Sequence, residues 1–456
     1  MAKKIQSINP YNGELNGEKN IIWEQEVDQI IDQAHTAYLE WKTTSFEDRK
    51  AYFYTLADVI EKDLDECARL QTIEMWMLLS DSKAGMQGTA NLIRWFADNT
   101  EEVLWDKEFE TSEGIKWLEK MDPLGVIFGI APWNFPFNQL LRAAVPNMLA
   151  GNTQIYKHAS NVPLCAEKIQ DLFDKAHFPK WVYTNLFISS SLSEHIISNP
   201  KIAGINLTGW ERAGSSVWAL AWKYIKPCVL ELWGNDAFIV CDTNNLDAII
   251  EQAVLWRIRN GWQACNGSKR FVVLDKYYDE FCEKYTQKMQ ALKLWDPLDI
   301  LTKLQPLANK SAIQEVDRQV QKAIETWAKL LTGWKYVEPE GCFYEPTVLA
   351  DITPNVSSFH EEIFGPVASI IKSKNIEESI EIANNSDFGL SATVFWDNEV
   401  QLRDVAKQLT GWIIYINSRA SSKASIPFGW VKKSWIWKEN WPEGLKAFTN
   451  KKVIIY

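Results

Sequence analysis

Cys265 is the residue best placed to do covalent chemistry in this chain. It follows Gly261-Trp262-Gln263-Ala264, where a helical stretch ends ahead of the apolar run Arg270–Leu274. A thiolate is an intrinsically strong nucleophile, and a carbonyl carbon is its natural target. A cysteine taken singly is more often a small buried hydrophobe, so the reading needs partners. Glu231 closes the apolar run Cys228-Val229-Leu230. A carboxylate at such a strand end loses part of its hydration, and its pKa rises toward that of a useful base. The bland alternative is a surface glutamate. Asn134, in Pro132-Trp133-Asn134-Phe135-Pro136, offers a neutral N–H. With the backbone N–H of Cys265 it would stabilise an oxyanion, or it is a turn asparagine between prolines.

Alternating strands and helices must position these residues. Residues 26–100 read as mostly helical, with apolar positions three to four apart through 52–72. From 124 onward short apolar runs alternate with helical stretches. Strands are expected at 126–131, 154–156, 182–188, 202–207 and 228–232, and helices at 137–149, 163–176, 191–198 and 211–223. That order argues for a doubly wound parallel sheet. A second alternation runs through helix 245–260, strand 270–274, helices 278–292 and 311–327, strand 368–372, helix 376–385 and strand 391–396. Residues 103–121 and the tail have strand-like pieces suited to a small extra sheet at a subunit contact.

Composition narrows the class. The 456 residues carry 48 Lys+Arg against 59 Asp+Glu, a net charge of −11, which gives no attraction to nucleic acid or anionic lipid. No apolar run approaches the ~20 residues of a membrane span, and the polar start gives no secretory signal. The seven cysteines form no CxxC pair and the five histidines no ligand spacing. This excludes a zinc ribbon and a disulfide framework, makes a metal site unexpected, and suits a reducing cytoplasm.

Several segments together resemble the aldehyde dehydrogenase family over essentially the whole chain. They are Ile8–Gly13, Pro123–Ile127, Pro132–Pro136, Ala150–Asn152 with Lys157, Leu207–Gly209, Leu230–Leu232, Gln263–Cys265, Glu361–Pro366 and Pro427–Gly429. The resemblance implies an α/β fold with a variant Rossmann cofactor domain (1–102 and 122–230), an α/β catalytic domain (231–437) and a small oligomerisation sheet (103–121 and 438–456). It implies that Cys265 forms a thiohemiacetal and then a thioester, that Glu231 activates the hydrolytic water, and that Asn134 holds the oxyanion. Pro132, Trp133, Lys157, Ser160, Thr208, Gly209, Glu362 and Phe364 match its cofactor positions. Ser160 stands where NAD-preferring members often have Glu, so NADP is expected, with NAD possible. Arg142 and Arg259 match the arginines that the succinate semialdehyde branch aims at the substrate carboxylate, a task suited to guanidinium forks. Ser422 would complete that pocket. The reaction implied is oxidation of succinate semialdehyde to succinate by a cytoplasmic homodimer or homotetramer. Another small aldehyde, or a non-catalytic binding or structural homologue, are the alternatives.

One feature departs from the family. The chain has 23 Trp but only 21 Gly, whereas glycine usually makes up ~7% of residues. Glycine is usual in the family at the positions of Trp76, Trp181, Trp222, Trp233, Trp262, Trp295, Trp334, Trp412, Trp430, Trp435 and Trp437. Glycine serves where φ is positive or where backbone or ligand approaches closely. Indoles there are expected to clash with chain, cofactor or substrate. In some bacteria UGA codes for glycine; reading such codons as Trp would produce this pattern. Moving about a dozen tryptophans into the glycine column restores the usual share.

Overall fold

A computed structural model describes residues 4–299, 301–334, 336–337, 342–418, 420–429 and 431–456. The first alternation builds a six-stranded sheet. Its spatial order is Trp435–Ile436, Cys228–Glu231, Ile202–Thr208, Val126–Ile130, Thr153–Lys157 and Tyr183–Leu186. All neighbours are parallel except the short Trp435–Ile436 strand. Val126–Phe128 and Thr153–Tyr156 are buried on both faces, which is why they read as unbroken apolar or uncharged runs. Gly129 has a steric reason. A Cβ there would stand 2.1 Å from the Tyr156 ring on the neighbouring strand. Helices Glu24–Trp41, Pro136–Leu149, Pro163–Lys175 and Glu211–Lys223 accompany this sheet.

A seven-stranded sheet follows, in the order Lys329–Thr332, Thr347–Ala350, Val367–Ser373, Arg270–Leu274, Ala237–Val240, Ser391–Phe395 and Ile413–Ile416. Its neighbours are parallel except the first pair. The interior strand Ala237–Val240 was not among the sequence expectations, nor was helix Glu399–Gln408. The strand follows Cys228–Glu231 with no helix between them, so the alternation of strands and helices does not single it out. A third sheet joins Lys107–Glu110, Lys116–Pro123 and the tail strand Thr449–Ile455, all antiparallel. No described helix is long and apolar enough to cross a membrane.

The backbone sorts the tryptophans. Trp76, Trp181, Trp262, Trp334 and Trp437 have φ between 64° and 73°, in the left-handed region. Trp327, with φ 82°, joins them. Left-handed backbone costs an L-residue roughly 1–2 kcal/mol. The helix Lys310–Glu325 shows why glycine suits position 327. The Trp327 N–H donates to the Ile324 carbonyl (3.0 Å) and the Ala328 N–H to the Ala323 carbonyl (2.9 Å). This is the hydrogen-bond pair of a Schellman stop, whose left-handed residue is usually glycine. Trp76 ends Leu64–Met75 in the same conformation, and its buried indole N–H has no partner among the described residues. Left-handed backbone does not mark the other positions. Trp222 is helical, Trp435 lies on a strand, and Trp233, Trp295 and Trp412 lack a positive φ; Trp430 lies outside the described residues.

A substitution pair isolates the backbone effect. Trp327→Gly should be more stable than Trp327→Ala by about 1 kcal/mol, because only Ala retains a Cβ at positive φ. At Trp222, inside Glu211–Lys223, the order should reverse by about 0.5–1 kcal/mol. Urea unfolding of the four variants checks both signs, and a UGG codon at position 262 or 327 would rule out recoding there.

Candidate active site

Parallel pairing brings the first set of residues to one edge. Ile130 lies opposite Lys157 on one side and Leu207 on the other, and Thr208 lies opposite Glu231. The Pro132–Asn134 segment, Lys157, Thr208–Gly209 and Glu231 therefore all leave the carboxyl ends of adjacent strands. That is where open α/β sheets receive ligands. The Gly209 N–H donates to the Glu231 carbonyl at 2.8 Å, which fixes the turn beside the strand end.

Cys265 arrives from the other side on a coiled segment. Helix Leu246–Ile258 ends in a tight turn in which Asn260, Gly261 and Trp262 have φ of 51°, 57° and 66°. Three left-handed residues in succession reverse the chain just before Gln263. The Asn260 side chain donates to the carbonyls of Asn134 (2.9 Å) and Gln263 (3.2 Å), and the Asn134 amide donates to Gln263 O at 3.0 Å. The Cys265 loop and the Asn134 segment are thus tied together. Buried Lys269 donates to Ala264 O at 3.0 Å and to Cys265 O, and its ammonium pairs with Glu362 at 2.7 Å. Arg257 donates to the carbonyls of Ile363, Gly365 and Val367, holding the segment that carries Glu362 and Phe364.

The thiol of Cys265 donates to Glu231 Oε1 at 3.4 Å. Burial, and next the Glu231 charge, push this thiol well above its ordinary pKa, so it rests protonated. Glu231 is itself fully buried. Burial holds its carboxyl above the usual carboxylate range, against the pull of the Arg142 guanidinium. Arg142 lies within helix Pro136–Leu149. Its Nη2 pairs with Glu231 Oε2, its Nε with Glu439 Oε2 at 2.8 Å, and its plane lies 4.4 Å from the Phe428 ring centroid. Glu439 escaped the sequence reading. A lone Glu in Lys438-Glu439-Asn440 carries no spacing signal, and only the fold brings it to Arg142.

A cavity of about 1080 Å³ opens onto Cys265. Arg142, Arg259, Ser422 and Phe428 line it. Arg259 lies over the rings of Phe135 (5.7 Å) and Trp256 (5.2 Å). Ser422 is exposed and receives a long hydrogen bond from Asn440 (3.4 Å). Trp262 and Trp233 are not among the residues that line this cavity. Trp262 is buried, with no partner for its indole N–H among the described residues, and Trp233 faces Phe388.

The remaining residues lie along the sheet edge. Lys157 is half-buried with its ammonium 3.3 Å from the His158 carbonyl, and desolvation lowers its pKa. Burial pushes His158 down to about 4, so its ring is neutral. Its Nε2–H donates to Pro136 O at 3.0 Å, and its Nδ1 accepts from Ala159. Ser160 is exposed just beyond. Gly209 is open, since a Cβ there would meet only Leu207 at 3.6 Å. Trp133 meets Phe364 edge-on at 5.8 Å, joining the first sheet's edge to the Glu361–Pro366 segment.

Comparison with known proteins agrees with this geometry. The aldehyde dehydrogenase family model matches residues 1–454. Succinate-semialdehyde dehydrogenase [NADP(+)] 1 of Mycobacterium tuberculosis is 37% identical over 452 residues, covering 99% of both chains. The Deinococcus radiodurans succinate-semialdehyde dehydrogenase [NADP(+)] is also 37% identical, over 99% of this chain and 94% of its own. Among solved structures, succinic semialdehyde dehydrogenase from Streptococcus pyogenes in complex with NADP+ superposes with a TM-score of 0.96 at 34% identity, covering 99% of each chain. With a thiol, a buried carboxylate and an amide brought together at the edge of an α/β sheet, the chain belongs to the aldehyde dehydrogenase family.

Proposed function

We propose that this enzyme oxidises succinate semialdehyde to succinate with NADP+. The observation that carries the reading is a thiol hydrogen-bonded to a buried carboxylate in a cavity that two guanidinium groups line. The 37%-identical relatives named for this reaction support it. Arg259, Arg142 and Ser422 would receive the distal carboxylate, with the aldehyde carbon toward Cys265. As sulfur adds to that carbon, the thiol proton passes to Glu231 Oε1. The Asn134 amide and the Cys265 N–H hold the resulting oxyanion. The carbon then loses hydride and a thioester remains on Cys265. Glu231, having released the first proton to solvent, takes a proton from the attacking water. The C–S bond breaks, the thiol re-forms and succinate leaves.

The sheet edge fits a dinucleotide phosphate. Lys157 holds an under-partnered, partly desolvated ammonium there, the turn at Thr208–Gly209 is open, and Ser160 is an exposed hydroxyl with no carboxylate in its place. Pro132, Trp133, Glu362 and Phe364 would border the other end. When bound, NADP+ supplies the hydride acceptor. The same reading divides the chain into a cofactor domain (1–102 and 122–230), a catalytic domain (231–437) and bridging strands. The tail strand Thr449–Ile455 has one unpaired edge and exposes Val453, Ile454 and Ile455, so it would join subunits of a dimer or tetramer. Seven free thiols fit a reducing cytoplasm.

NADPH absorbance with succinate semialdehyde tests the reaction; absence of turnover would end the proposal. Arg259→Ala should raise KM for succinate semialdehyde about 10- to 100-fold, the worth of a charge-assisted hydrogen bond. KM for butanal should barely change.

Two further measurements address the acid–base pair. Glu231 acts only when ionised and its pKa is raised, so activity should fall as pH drops through a value above the ordinary ~4.3 of Glu. Glu231→Gln should lower kcat by about 10²- to 10⁴-fold. Iodoacetamide should label Cys265 at a rate that climbs through about pH 9 without levelling, because the thiol is raised above its usual ~8.5. A plateau near neutrality would contradict that assignment.

A further inference from the structure

Arg142 has two claims on it. It lines the substrate cavity, yet its guanidinium is engaged by carboxylates of the protein. Arg142, Glu231 and Glu439 are all buried, at 3%, 0% and 4% exposure. One cation therefore serves two acidic groups. A guanidinium has five N–H donors. The recorded bonds use one from Nη2, to Glu231, and one from Nε, to Glu439. Nη1 has no recorded partner among the described residues. The Phe428 ring lies over one face of the group and is itself part of the cavity wall. A ligand carboxylate entering the cavity would thus meet a guanidinium already bonded to the general base.

The geometry points to a coupling of substrate recognition to base release: Arg142 restrains Glu231 until a substrate carboxylate draws the guanidinium away. The inference rests on the reading of Arg142 as a carboxylate receptor, and it goes further. One positive charge cannot balance three carboxylates, although N–H donors remain for a third. Glu439 holds Nε and Glu231 holds Nη2, so a ligand carboxylate that binds the remaining η donors draws on the charge that restrains Glu231. Glu231 freed from Arg142 is the stronger base, because the guanidinium is the group that opposes its raised basicity. The charged or titratable groups acting on Glu231 are Arg142 on helix Pro136–Leu149, Glu439 on strand Lys438–Glu439, and Cys265 on the catalytic loop. Arg142 is thereby a positioning residue for hydrolysis as well as a binding residue. Thioester formation needs no movement of Glu231, whose Oε1 already accepts from the thiol while Arg142 holds Oε2; an uncharged aldehyde would therefore form the thioester and then wait, because activating the water needs Glu231 released from Arg142.

The test compares succinate semialdehyde with butanal on the full-length enzyme by rapid-mixing measurement of NADPH. Butanal should give a burst followed by a steady rate about tenfold below that of succinate semialdehyde, which should show little burst. Arg142→Met should raise the steady rate with butanal severalfold and move the acidic limb of its kcat profile to higher pH. The same variant should raise KM for succinate semialdehyde. If the wild-type enzyme prefers succinate semialdehyde in kcat/KM but both aldehydes show the same ratio of burst to steady rate, the coupling is overturned while the substrate assignment stands. If the enzyme shows no preference between the two aldehydes, the carboxylate pocket fails and takes the coupling with it. The wild-type comparison decides the matter even if the variant does not fold.

Discussion

The burial of Glu231 is the constraint on which the site depends. A carboxylate out of water must be matched by a cation or protonated. Here Arg142 answers it from a helix that follows a strand of the same sheet, and Glu439 answers Arg142 from a segment near the chain's end. That three-body contact ties residues nearly 300 positions apart in sequence, and it sets the chemistry of Cys265. A thiol next to an ionised carboxylate is a poorer acid, so the pair rests as thiol and carboxylate with one proton to exchange. In the proposed mechanism, the proton for the first step and the base for the last are held on one hydrogen bond.

A second ionic group does for the loop what the first does for the base. Lys269 is buried, pairs with Glu362, and donates to the carbonyls of Ala264 and Cys265. With Asn260 and Gln263 linking the loop to Asn134, Cys265 and Asn134 are held on one hydrogen-bonded framework. Preorganisation of this kind lets a neutral donor stabilise an oxyanion without reorganising at the moment of reaction. The two arms of the site come from different sheets, so its integrity depends on packing between them. The edge-on contact of Trp133 with Phe364 is one visible piece of that packing.

Much of this was legible in the sequence where a local rule applies. The alternation over 124–232 shows because strands buried on both faces are apolar runs and the helices between them are amphipathic. Strand Arg270–Leu274 and helix Glu211–Lys223 fall where the pattern puts them. The strand Ala237–Val240 does not show, because no helix separates it from Cys228–Glu231 and its neighbours in the sheet are 30 or more positions away. The same limit hides Glu439, Lys269 and Arg257. Each is a single charged residue whose partner is set by tertiary approach. Cys265, Glu231 and Asn134 stood out only as members of motifs; alone, each had a bland alternative of equal or greater weight.

Left-handed backbone supplies the last link between the composition and the site. The turn Asn260-Gly261-Trp262 must reverse the chain between helix Leu246–Ile258 and Cys265, and it does so through three successive positive φ values. Asn and Gly tolerate that region; an indole-bearing residue does not. Trp262 nevertheless adopts it, and also buries an N–H with no acceptor among the described residues. Both costs, of order 1–3 kcal/mol each, fall on the residue that sets the direction of the catalytic loop. Against them stand the burial of the indole in the core and the Arg257 guanidinium 5.9 Å from its ring. The left-handed backbone at 262 continues that of Asn260 and Gly261, so the turn requires it whatever side chain stands there. The same reasoning holds at the Schellman stop of Trp327, which is 87% exposed and so gains little from burial in return. Where a fold demands glycine geometry at positions as unlike as a buried catalytic turn and an exposed helix end, the demand comes from the architecture. The tryptophans at those two positions are passengers on it.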